Sequence, residues 1–281
     1  MYESLNDPET AGALLDAVAG WGKARGLDTI RGPMNLSMND ECAFLLEGFD
    51  SPPVVMMPYN PRYYLDLMER CGLVKAKDLY AFYGDKDHQA AGKIQETVDR
   101  IRRETRITVR PLTRKTLRRD TEKIMHIYNN AWERNWGFVP WTPEEIEHMV
   151  GKLKQVADLR LILIAEDGGR PVGFAFALPN LNEAIKKIDG RLTPLGILKF
   201  LYYRRKIKGV RALVFGILKE YRQTGVSYLL YSELDKIVFS AGYEWAETSW
   251  QLEDNDLVNR FALSVGGRLY KKYRIFEKKV A

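Results

Sequence analysis

Apolar residues recur at Val226, Leu229, Leu230, Leu234, Ile237, Val238 and Ala241, the spacing of one helix face. They follow a continuous apolar run of strand length, Val210–Leu218. Between the two lies Arg222-Gln223-Thr224-Gly225-Val226-Ser227. The pattern predicts a buried strand, a tight turn with one glycine and a helix starting at Val226. A helix start leaves backbone N–H groups unpaired, and those groups and the helix dipole both favour an anion. Arg222 would add a charge-assisted contact. The turn therefore suits a phosphate or pyrophosphate. It is not a Walker loop, since no Gly-Lys-Ser/Thr follows, nor a dinucleotide fingerprint, since the other glycines are missing.

The same reading extends along the chain. Asp7-Pro8 predicts a helix start, with Ala11, Leu14, Leu15, Val18 and Trp21 on one face and Gly26 as its stop. A short strand is expected over Leu27–Arg31, and a long loop rich in glycine and proline over Gly32–Pro58. A helix over Pro61–Cys71 closes at Gly72, and a strand follows over Asp78–Tyr83. Gly84–Glu104 is polar with helical spacing at Ile94, Val98 and Ile101, and reads as a connector. Next come a strand over Ile107–Pro111, a helix over Thr116–Trp132 and an aromatic loop over Asn135–Trp141. Thr142-Pro143-Glu144-Glu145 is a capping box. Strands over Leu159–Glu166 and Val172–Leu178 flank the hairpin turn Asp167-Gly168-Gly169-Arg170. A basic, aromatic helix is expected over Pro194–Lys206. After the glycine turn and its helix, a strand over Tyr243–Leu252, a helix over Asp256–Val265 and a strand over Leu269–Glu277 end the chain. The fold class is α/β with a mixed sheet.

Two spacings recur. Gly26 and Gly242 each close a helix and open a strand, and Asn60 and Asn255 are each followed twelve residues later by a glycine, Gly72 and Gly267. A duplicated unit is expected, incomplete in its first copy. This sets a half-domain over residues 1–85, a connector helix over 86–104 and a complete domain over 105–281.

Composition narrows the classes. The 281 residues are 46% apolar and 28% charged, as in an ordinary globular protein. No apolar run reaches membrane-span length, and Met1–Asp7 does not read as a signal peptide. Cys42 and Cys71 lack metal-type spacing and read as reduced thiols in the cytoplasm. His88, His126 and His148 are scattered, so no metal site is expected. Net charge is +6, with twelve Lys/Arg against six acids over Lys86–Lys123 and six against none over Lys199–Arg211. Such patches could meet nucleic acid, a membrane surface or an anionic cofactor, but for so mild an excess a solvated face is the favoured reading. A membrane-surface or lid role is a minor expectation for the basic helix over Pro194–Lys206.

With the turn in place, the chain resembles the GNAT superfamily of N-acyltransferases, whose phosphate loop is Gln/Arg-x-x-Gly-x-Gly/Ala. Ser227 stands at the last small position. The resemblance implies a GNAT fold with acetyl-CoA, or another acyl-CoA, as co-substrate. It implies pyrophosphate on Arg222, Gln223, Thr224, Gly225, Val226 and Ser227, and the pantetheine arm along Ile217, Leu218 and Lys219. It also implies a contact from Asn255 and a carbonyl-polarising N–H near Leu218. The acceptor would be a small-molecule or peptide amine. Nucleic acid is the less favoured partner, no metal is implied, and a homodimer is left open. The family often carries an acid tyrosine seven residues after the asparagine, where this chain has Ala262. For the base, the candidates are Glu247, which also reads as a strand residue on a solvated face, and Glu253 beside Asp254, which also read as helix caps. Trp136, Phe138 and Trp141 are candidates for the acceptor site, or simply a packed loop. Two other readings stay open: a transferase using aminoacyl-tRNA, and a CoA-binding protein without transfer.

Overall fold

The structure is a computed structural model that describes residues 2–87, 91–132, 135–156 and 158–280. His88, and residues 88–90 of the expected connector, lie outside the described residues. In chain order the elements are α1 (Pro8–Lys23), β1 (Thr29–Gly32), β2 (Phe44–Glu47), α2 (Tyr63–Arg70), β3 (Val74–Asp85) and α3 (Ala91–Glu104). There follow β4 (Ile107–Pro111), α4 (Leu117–Ala131), α5 (Pro143–Val156), β5 (Ile162–Asp167) and β6 (Arg170–Pro179). The chain continues through α6 (Asn182–Lys186), α7 (Pro194–Arg204), β7 (Gly209–Ile217), α8 (Val226–Ser240), β8 (Trp245–Leu252), α9 (Asp256–Ser264) and β9 (Arg268–Lys279). The sequence pattern missed β2 inside the expected loop and the short α6. Leu159–Leu161, expected as the start of a strand, is a 3-10 turn opened by Asp158, whose carboxylate accepts from Arg160 N–H.

The chain forms two compact units. The first comprises Met1–Phe82, Trp250–Arg260 and Leu269–Ala281, and the second Tyr83–Ser249 and Phe261–Arg268. In the first, β9 pairs antiparallel with β1 (Gly32 opposite Phe276) and with β2 (Phe44 opposite Arg274). Ala11 and Leu15 of α1 and Tyr64, Leu67 and Met68 of α2 pack with Phe44 and Phe276. Asp7 caps α1 by accepting from Thr10 N–H at 2.8 Å. The two asparagines of the expected repeat have different duties. Asn60 is buried and accepts from Leu45 N–H at 2.6 Å, holding β2. Asn255 Oδ1 accepts from Val258 N–H at 3.4 Å in the first turn of α9. The left-handed stop after α9 is Gly266, one residue before the glycine that the spacing picked out.

In the second unit, β4, β5, β6 and β7 form antiparallel neighbours and β8 joins β7 in parallel. Gly168 and Gly169 both have positive φ, which gives the β5–β6 hairpin the turn its sequence predicts. One sheet face packs on α8 and α3. Ile94, Val98 and Ile101 of α3 are buried with Val226, Leu229, Leu230 and Leu234 of α8 and with Val172 and Ala175 of β6. Arg110 of β4 meets the buried Asp120 of α4 with two hydrogen bonds, at 2.7 and 2.9 Å, and reaches Glu166 at 3.0 Å; Lys123 also binds Glu166. Burial raises the Asp120 pKa, but the hydrogen bonds from Arg110 and Thr116 and the charges of Arg110 and Arg119 together outweigh it and hold the carboxyl below its ordinary value. No helix among the described residues is long and apolar enough to cross a membrane.

Candidate functional site

The site begins with a fault in the ladder of β7. Phe176 of β6 pairs with Val214, but Ala177 pairs with Ala212, so Leu213 is an extra residue on β7. Such a bulge bends a strand and raises its twist. The parallel pairing with β8 stops at the same place: it runs from Gly209 opposite Trp245 to Ala212 opposite Thr248, with no later β7–β8 pair among the described residues. Beyond Ala212, β7 keeps β6 on one side and loses β8 on the other.

Which backbone groups this frees follows from the alternation of an antiparallel ladder. Leu218 N–H donates to Val172 C=O at 3.0 Å, in register with Ile217 opposite Gly173. Residues that bond across such a ladder alternate with residues whose N–H and C=O point the other way. The N–H and C=O groups of Phe215 and Ile217 therefore point to the open edge. The Leu218 N–H itself is engaged with β6, while the N–H groups of its neighbours Ile217 and Phe215 face the open edge. Phe215, which sequence reasoning passed over, has the free orientation.

The open edge leads into the turn. Lys219–Tyr221 form a single 3-10 turn, and Gly225 caps α8 in the left-handed region at φ 84° without a side-chain cap. Thr224 N–H is satisfied by Tyr221 C=O at 3.1 Å. Among the described residues, the N–H groups of Gln223, Gly225, Val226 and Ser227 have no hydrogen-bond acceptor. Four free donors at a helix start form an anion cradle. Gly225 is required twice over: its φ suits glycine, and an added Cβ would lie 2.4 Å from Ile101 Cδ1 of α3. The Arg222 guanidinium donates to Ala131 C=O at 2.5 Å, at the C-terminus of α4, so in this structure it ties the turn to that helix.

The other sheet face carries an aromatic cluster. A Cβ on Gly216 would meet Phe174 at 2.5 Å and the Trp132 ring at 2.6 Å, so Trp132 lies directly on the β7 backbone. Tyr128 contacts Trp132 (4.9 Å between centroids) and Phe138 (5.7 Å), and stacks on Trp141 at 4.0 Å and 4°. The Asn129 side chain makes two hydrogen bonds with the Trp141 backbone, at 3.1 and 3.2 Å, and pins the loop. Burial pushes the Tyr128 phenol pKa far up, keeping it neutral. Phe138 and Trp141 are thus brought to β7 through Tyr128 and Trp132. Trp136 is half-buried on the same loop.

Glu247 does not lie on a solvated face, as one sequence reading had it. It is fully buried (0% exposed) and accepts a short hydrogen bond from the Ser249 hydroxyl. Ser249 Oγ also accepts from Arg211 Nε at 2.9 Å, and Arg211 is itself buried. Arg211 lies opposite Leu178 on β6 and Glu247 on β8, and directly opposite residues share a sheet face. Leu178 alternates in phase with Phe174, so the buried Arg211–Ser249–Glu247 group sits on the aromatic face. Arg211 and Ser249 were not singled out from the sequence; a charge inside each of two apolar strands was the available signal.

The other expected residues fall in the first unit. Glu253 accepts from Asp78 N–H at 3.0 Å and from Lys75 at 2.6 Å, and Asp254 pairs with Lys77 at 2.8 Å. Both carboxylates are held by lysines rather than capping α9. Ala262 is buried.

No protein-family model matches the chain. It is 33% identical over 288 aligned positions to protein YghO of Escherichia coli, covering 100% of this chain and 73% of that protein. It is 36% identical over 288 aligned positions to the bacterial ceramide synthase of Caulobacter vibrioides, covering 99% and 74%. Among solved structures, a GCN5-related N-acetyltransferase from Sphaerobacter thermophilus superposes with a TM-score of 0.55 at 14% identity, covering 95% of this chain and 67% of that one. With the bulged, half-open β7 leading into an uncapped helix start, these similarities establish that the chain has the GNAT fold and belongs to the protein family that contains YghO and the bacterial ceramide synthase.

Proposed function

We propose that the protein is an acyl-CoA-dependent N-acyltransferase. The observation that carries this reading is the open edge of β7 running into four free N–H groups at the start of α8. The pyrophosphate of CoA binds Gln223, Gly225, Val226 and Ser227, and the pantetheine arm extends β7 along Ile217. The Phe215 N–H is the donor aimed at the thioester carbonyl oxygen, where charge develops. The acceptor amine approaches over the aromatic face. Its nitrogen bonds to the carbonyl carbon, the C–S bond breaks, and the thiolate leaves as the thiol after gaining a proton. Glu247, oriented by Ser249 and with Arg211 beside it, takes the proton that the amine must lose. Every residue of this step lies in the second unit, while Asn255 and Glu253 lie in the first.

The relative named a ceramide synthase points to the acceptor. A ceramide is an N-acylated long-chain amino alcohol, and we assign the acceptor here to that class. The cluster of Tyr128, Trp132, Phe138 and Trp141 offers it an apolar surface. Free-thiol release from palmitoyl-CoA in the presence of a long-chain amino alcohol, with the amide product identified by mass spectrometry, tests this. Thiol and amide formed in equal amounts support the proposal. A CoA-dependent rise in melting temperature without amide supports the second reading, a CoA-binding protein without transfer, which Ala262 at the family's usual tyrosine position favours. No rise and no amide would sink both.

A further inference from the structure

The helix α7 is apolar on two sides. Gly196 is buried at its base, where an added Cβ would lie 2.2 Å from the Arg191 carbonyl oxygen, and Phe200 and Tyr203 are half-buried. At 100° per residue these three define the inward side. The outward arc carries Leu195, Ile197, Leu198, Leu201 and Tyr202, all exposed, with Leu195 at 72% and Leu198 at 64%. Leu192, just before the helix, is also 72% exposed. Single exposed leucines are ordinary, but a contiguous apolar arc marks an interaction surface.

Along the segment of chain that carries this arc the charge has one sign, although Lys208 at its end is paired with Glu244. From Leu192 to Lys208 the chain has no Asp or Glu, while Lys199, Arg204, Arg205, Lys206 and Lys208 are all basic. Arg191 and Lys187 precede it, both exposed. Lys206 reaches back to Tyr202, donating to its hydroxyl at 2.5 Å. An apolar face rimmed by lysine and arginine is the composition of a helix that lies in a membrane interface, apolar side in the acyl boundary and cations at the phosphates. Tyrosines suit the same depth, since their rings are apolar and their hydroxyls wet.

We infer that α7 docks the protein on an anionic lipid bilayer, lying in the interface without crossing it. The inference rests on exposure and charge, not on the acyl-transfer reading. α6 and α7 connect β6 to β7, and Asn180 N–H donates to Gly209 C=O at 2.8 Å. The docking helix therefore leads into the end of β7 that carries Arg211, opposite the end that runs into the pyrophosphate turn. An amphiphilic amine drawn from the bilayer would meet that end first.

The test is flotation of the full chain with two kinds of vesicle, phosphatidylcholine alone and phosphatidylcholine with an equal part of phosphatidylglycerol. The wild type should float with the anionic vesicles and much less with the neutral ones, and binding should fall as salt is raised. Leu195→Glu with Leu198→Glu should cut binding by more than about tenfold, since two apolar anchors become charged. Arg205→Glu with Lys206→Glu should abolish the preference for anionic lipid. These positions are exposed, and circular dichroism with a melting curve confirms that each variant is folded. Leu195→Ser with Leu198→Ser serves as the second pair should the glutamates disturb the helix. Wild-type protein that fails to float with anionic vesicles, or serine variants that float as well as wild type, would overturn the inference. So would light scattering showing a wild-type dimer that the leucine variants split, together with no flotation, since a second copy would then cover the arc.

Discussion

Replacing Gly225 with alanine isolates the turn from the rest of the chain. Two costs can be worked from the geometry. At φ 84° an L-residue is strained, by about 1–2 kcal/mol. The new Cβ also falls 2.4 Å from Ile101 Cδ1 and 2.8 Å from its Cγ1, and forcing such an overlap costs about 1–3 kcal/mol. Gly225→Ala should therefore destabilise the second unit by about 2–5 kcal/mol. Ile101→Ala alone should cost about 2–5 kcal/mol, because Ile101 is buried and leaves a cavity. In the double variant the overlap disappears while the φ strain stays. The loss should fall short of the sum of the single variants by about 1–3 kcal/mol. Urea unfolding of the four proteins measures this cycle. Strictly additive losses would refute the claim that Ile101 packs beneath the turn, and a neutral Gly225→Ala would refute the left-handed turn itself.

Three further outcomes follow from the same structure. Glu247→Gln should lower kcat at least about tenfold with little change in KM for acyl-CoA, a ratio read in steady-state assays; an unchanged kcat would remove Glu247 from the proton path. Arg110→Met leaves the buried Asp120 with only the exposed Arg119 guanidinium, at 3.5 Å, and should cost about 3–5 kcal/mol, measured by urea unfolding, with a loss below about 1 kcal/mol contradicting the pairing. The pH dependence has a definite sign. The Asp120 carboxyl is depressed in the folded protein, so its contribution is present above the ordinary carboxylate pKa and is lost as pH falls through the lower folded value. Wild-type protein should thus lose more stability than Asp120→Asn on acidification below about pH 4. Equal acid sensitivity in melting curves would count against it.

The strand–turn–helix over Val210–Ala241 was legible because three local signals agree there: an apolar run, a glycine and a helix-period stripe. The bulge at Leu213 was not, because an extra residue in an antiparallel ladder shows only against its partner, here Phe176 and Ala177. For the same reason the sequence could not show which N–H groups near Leu218 face the open edge. Glu247 was noticed as an acid in an apolar strand, but its burial depends on sheet neighbours distant in sequence. β2 escaped because four residues give too little periodicity, and what holds it is a side chain, Asn60, reaching its backbone. The repeat spacing joined two asparagines with unlike contacts, since equal separation along a chain does not fix equal geometry. The basic helix was legible over Pro194–Lys206, but its exposed apolar arc was not, because leucines at helical spacing read equally as core.

We propose that backbone N–H groups of the second unit hold CoA, and a crystal structure of the protein with CoA would show whether they do. Pyrophosphate oxygens should lie about 2.7–3.2 Å from the N–H nitrogens of Gln223, Gly225, Val226 and Ser227, with the pantetheine arm along β7 at Phe215 and Ile217. CoA bound away from this turn, or a turn left empty at saturating CoA, would contradict it.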